Sequence, residues 1–135
     1  MTKVEQTYYD MLFHERTRFF LKWFRDGGGT QVFIRIFNMS PEDARKKALK
    51  LSRSLDDYCN CHHQEEMHAG RYKKSFTKFL EEPKVVAVSL NYIVRSLISE
   101  RPEQRFKIMD FMASHIFGID TSGNGNDKGT ALNEN

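Results

Sequence analysis

The sequence predicts a mostly α domain of about five helices over 1–118, one β segment at 31–37, and a disordered acidic C-terminal tail at 119–135. Three observations predict it. Apolar side chains recur at three- and four-residue spacing along most of the chain. Helix-start signals stand at Ser40-Pro41, Pro83 and Pro102. One stretch, Gln31 to Phe37, alternates instead: Val32, Ile34 and Ile36 would face one side, and Phe33, Arg35 and Phe37 the other.

The first helix is expected over about Lys3 to Asp26. Val4, Tyr8, Met11, Leu12, Phe19 and Trp23 fall on one stripe, and Tyr9, Phe13, Phe20 and Phe24 lie beside it and widen it. Gly27, Gly28 and Gly29 would end this helix, since glycine accepts the left-handed cap conformation. The alternating segment follows. A strand cannot leave its backbone groups buried and unpaired, so 31–37 must pair with its symmetry mate or with a partner protein.

Ser40 then caps a second helix, with Pro41 at its first position and Asp43 completing a shortened capping box. Ala44, Ala48, Leu51, Leu55 and Tyr58 form its apolar stripe, with Arg45, Lys46, Lys50 and Arg53 on the polar face. A Cys-His segment reads as the connection to a third helix from about Glu65 to Glu82, which Gly70 weakens. Pro83 and Pro102 open the last two helices. The first of them carries Val86, Leu90, Ile93, Val94 and Leu97 at helical spacing; the second carries Phe106, Met109, Ala113, Ile116 and Phe117. Beyond Ile119 the composition is Gly/Asn-rich and offers almost nothing to bury.

At 135 residues the chain is expected to form one core without disulfides or metal. Aromatics, dominated by 11 Phe, supply much of its buried area. The net charge is +3; the tail sets Lys128 against Asp120, Asp127 and Glu134, so the body carries +5. Its cations are spread along the chain and not massed as in a nucleic-acid-binding arm. The longest apolar stretch, around Val85 to Val94, is broken by Ser89 and Asn91 and is too short to span a bilayer. A cytoplasmic setting with no membrane partner is expected; nuclear and viral settings stay open.

Five ligand-type residues crowd into one segment: Cys59, Cys61, His62, His63 and His68. Thiolate and imidazole suit zinc, but structural sites normally combine two ligand pairs from separate segments. On one helix Cys59 and Cys61 would diverge by about 200°. Cys61, Glu65 and His68 would share a face, which keeps a metal-dependent protein as a third reading; the leading expectation is no metal and no cofactor. No Gly-x-Ser-x-Gly elbow is present, and Gly27 to Thr30 precedes an expected strand where a phosphate cradle precedes a helix. The chain is therefore expected not to be an enzyme.

The leading functional expectation is a small regulator or adaptor acting by protein–protein contact as a homodimer. Tyr9, Phe13, Phe20, Phe24, Phe33, Arg35 and Phe37 are its expected contact residues, because aromatics and Arg are enriched at binding hot spots. The alternative is a nucleic-acid-binding dimer using the strand and Arg45, Lys46, Lys50 and Arg53. A second basic set, Arg16, Arg18, Lys22 and Arg25, lies among the aromatics of the first helix. From Thr30 to Leu55 a strand followed by a capped basic helix resembles the ribbon-helix-helix arrangement, in which two paired strands enter the major groove.

Overall fold

The computed structural model describes residues 2–118, and these are mostly helical. Helix α1 spans Lys3–Leu12. It stops where His14 begins a 3-10 turn, Glu15–Phe19, by accepting the Arg16 N–H on its ring nitrogen at 3.1 Å. Thr17 is buried, and its hydroxyl donates to the Met11 carbonyl, which also accepts the His14 N–H at 3.2 Å as α1 ends. The single helix expected over 3–26 is thus broken after Leu12.

Helix α2, Phe20–Trp23, widens into a π turn at Phe24–Gly28 and continues as α3, Gly29–Arg35. This corrects the strand expected at 31–37: among the described residues there is no strand. Only Gly27 takes the left-handed conformation, at φ 123°, and the chain resumes helical angles at once. Gly28 and Gly29 are needed for space. A Cβ at Gly28 would lie 2.3 Å from the Trp23 indole, and one at Gly29 would lie 2.8 Å from the Phe24 ring. Within α3 and its end, Val32, Phe33, Ile36 and Phe37 are buried, while Gln31 and Arg35 face solvent. That pattern is a helical stripe one turn apart, and it packs α3 on the next helix. With no exposed ladder edge, pairing between two copies through this segment has no structural basis.

Helix α4, Pro41–His68, begins as the sequence indicated: the Ser40 hydroxyl accepts the Asp43 N–H at 3.3 Å. It runs through the whole Cys-His segment, which is helix body and not a connection. Gly70, at φ 74°, ends it, so no third helix spans 65–82. A short loop leads to Ser75, which caps α5, Phe76–Glu81. Pro83 opens α6, Pro83–Glu100; Pro102 opens a 3-10 turn, and α7 follows as Arg105–Gly118. The tail expected at 119–135 lies outside the described residues.

Helices α4 and α6 run antiparallel. Lys47 pairs with Glu100 at one end, the Tyr58 and Tyr92 rings lie 4.8 Å apart midway, and Cys59 meets Ser89 at 3.4 Å beyond them. The α2–α3 segment lies across α4 in the opposite sense, with Phe33 near Leu51 and Arg25 paired to Asp56. The core sits between these layers and α7: Phe20, Phe24, Phe33, Leu55, Leu90, Ile93, Leu97, Ile108 and Met112 are each almost fully buried. Among the described residues, no helix is long and apolar enough to cross a membrane.

Candidate functional site

The seven residues expected to meet a partner divide in two. Tyr9, Phe13 and Arg35 are exposed; Phe13, just past the end of α1, is 79% exposed and Tyr9 is 49%. Phe20, Phe24, Phe33 and Phe37 are instead buried in this chain's own core. Phe20 stacks near Phe24 at 6.0 Å and Phe33 meets Phe37 edge-on at 5.0 Å, so none of the four has surface to offer. Phe19, assigned to the core stripe, is 55% exposed, with the Arg18 guanidinium 4.8 Å above its ring.

The four cations of the second helix, Arg45, Lys46, Lys50 and Arg53, are all exposed on α4 around the half-exposed side chain of Leu49. Lys46 stands 3.7 Å from Glu42. Arg45, Lys50 and Arg53 have no carboxylate partner among the described residues. Lys50 also borders a small cleft of about 160 Å³ between α4 and α6, floored by Phe33 and Leu51.

A larger groove, about 610 Å³, opens between α2 and the α5–α6 corner. Its apolar floor is Phe19, Leu21, Leu80 and Val86, and Arg18, Lys22 and Arg25 line one wall. Its carboxylates are engaged by neighbours: Asp26 pairs with Lys22 at 2.9 Å, and Glu81 lies 3.8 Å from Lys78. The sequence marks Arg18, Lys22 and Arg25 as basic, but it does not mark Leu80 or Val86 as their neighbours.

The Cys-His residues are spread around α4. Cys59 is buried, shares a hydrogen bond with Ser89, and has its thiol pushed up by burial, so it is a poor nucleophile. Cys61 and His68 face solvent. His62 lies edge-on to Tyr58 at 4.5 Å and 3.9 Å from Glu65. His63 is buried among Tyr72, Phe76 and Phe79. Its Nε2 donates to the Lys74 carbonyl at 3.0 Å, which fixes that nitrogen as the protonated one and pins the 69–75 loop to α4. Its Nδ1 is buried and has no hydrogen-bond partner among the described residues. Among the described residues, no three His, Cys, Asp or Glu side chains gather as a metal site would require. The shared face of Cys61, Glu65 and His68 does not bring them together.

No protein-family model matches this chain, and no curated protein or solved structure matches it either.

Proposed function

We propose that this chain is a small non-enzymatic regulator or adaptor that works by protein–protein contact and pairs with a second copy of itself. The observation that carries the reading is the exposure of Phe13 and Tyr9. The two stand one helical turn apart at the end of α1, on a side that the chain's own core does not cover. Large aromatics exposed at positions one turn apart are the common mark of a contact surface. The reading assigns no catalytic residue and no cofactor. Phe20, Phe24, Phe33 and Phe37 are core residues and take no part in this contact.

Sedimentation at tens of micromolar tests it, with Phe13→Ser and Phe20→Ser measured side by side. Phe13→Ser is expected to keep its helical circular dichroism and melting temperature while the dimer dissociates. Phe20→Ser is expected to unfold or melt much earlier, since removing a buried Phe costs about 3–5 kcal/mol. A wild-type chain that sediments as a monomer removes self-association. Unchanged association in Phe13→Ser removes this face as its site.

A further inference from the structure

Two basic segments far apart in sequence meet in the fold. On α4, Arg45, Leu49 and Arg53 follow one another at four-residue intervals, and Asp56 comes three residues later along the same edge. Asp56 is the partner of Arg25, which also lines the wall of the larger groove with Lys22 and Arg18. Because α2–α3 lies antiparallel to α4, the direction from Arg45 to Arg53 continues from Arg25 to Arg18. The α4 part measures about 16 Å at 1.5 Å per residue, and the groove part adds about 10 Å.

The charges along this line do not cancel. Asp26, Asp56 and Glu81 are each held by a cation of the chain itself. Arg18, Arg45 and Arg53 have no such partner among the described residues. Asp57 is exposed one helical turn beyond Arg53 and offsets part of its charge, while no exposed carboxylate of that kind stands one turn beyond Arg45, where Leu49 follows. At the Arg18 end the track gains an aromatic: the exposed Phe19 ring, part of the apolar floor of the groove.

We propose that this track binds single-stranded nucleic acid, with the unpaired cations following the phosphates and Phe19 stacking one base at the groove end. A line of unpaired positive charge ending at an exposed aromatic is the combination that single-strand binding uses. A duplex keeps its bases stacked on each other and would leave Phe19 unused. An acidic peptide would satisfy the cations but gain nothing specific from a planar stacking surface. The inference stands independently of the α1 surface and of dimerisation.

The test is fluorescence anisotropy of labelled dT12 and rU12 with the full chain, titrated at several salt concentrations. Contacts with about three phosphates predict a log–log salt slope of about −2. Arg45→Glu/Arg53→Glu and Arg18→Glu are each expected to weaken binding on the order of tenfold or more and to flatten that slope. Phe19→Ala is expected to weaken it roughly tenfold with the slope unchanged. Asp57→Asn is expected to tighten it. Circular dichroism melts confirm that each variant is folded; all five positions are exposed. No binding at tens of micromolar protein in low salt overturns the proposal. So does an equal response from a twelve-residue poly-Glu peptide, tighter binding to a duplex of the same length, or indifference to the two Arg variants.

Discussion

His115 gives the sharpest physical test of the packing. Its ring lies 3.7 Å from that of Trp23, in the layer where α7 covers α2. Burial pushes its pKa from 6.5 down to about 4. The last turn of a helix would favour a charged imidazole by a few tenths to about 1 kcal/mol, so desolvation has outweighed the helix dipole here. The folded chain therefore holds His115 neutral over a range where the unfolded chain has already taken up a proton. Between pH 6.5 and about 4 the unfolded state binds more protons, and stability must rise with pH across that window. At ~1.4 kcal/mol per pH unit the interval corresponds to about 3 kcal/mol; the ring keeps some solvent contact, so about 2 kcal/mol is the expected loss on acidification. His115→Phe keeps an aromatic on Trp23 and abolishes the titration. Urea unfolding followed by circular dichroism at pH 7 and pH 4.5 should show wild type losing about 2 kcal/mol more than the variant, or roughly 8 °C in melting temperature. Carboxylates such as Glu66, whose pKa is held down by its hydrogen bond to Arg71, lose stability in acid equally in both proteins and cancel. Equal acid losses in the two would show that His115 is solvated and that the α2–α7 layer is packed differently.

Four further outcomes follow from the same geometry. Gly28→Ala should lower the melting temperature by an amount corresponding to about 1–3 kcal/mol, because its Cβ would overlap the Trp23 ring. Gly27→Ala has open space but an unfavourable φ and should cost about 1 kcal/mol. Ser40→Ala should cost about 1 kcal/mol through loss of the α4 cap, measurable by chemical denaturation. Purified protein should contain far less than one equivalent of zinc, and a chelator should leave its melting temperature unchanged; stoichiometric metal lost in Cys61→Ala/His68→Ala would revive a metal role for that segment.

What the sequence made legible was local. Ser40, Pro41 and Asp43 mark the start of α4 by their own chemistry, and Pro83 and Pro102 mark the next two starts. What it hid depended on contacts made at a distance. Alternation over Gln31 to Phe37 fits a strand, but the same seven residues place Val32, Phe33, Ile36 and Phe37 on one helical face. Nothing local decides between them. The deciding fact is that Gly28 and Gly29 lie against the Trp23 and Phe24 rings, so the glycines permit a close turn and do not stop the helix. The face of the first segment was misjudged for a related reason. A wheel drawn through 3–26 as one helix points Phe19 and Trp23 inward. Extended backbone at His14 (φ −73°, ψ 141°) interrupts the helix before the 3-10 turn Glu15–Phe19, so the wheel's phase is not carried past Leu12, and Phe20 and Phe24 are buried instead. That single break moved two aromatics from the expected contact surface into the core, and it left Phe19 exposed in the groove beside Arg18. The basic residues were visible as two sets. Their continuity is carried by Arg25 and Asp56, 31 positions apart, and a pair so distant leaves no periodicity for a sequence pattern to reveal.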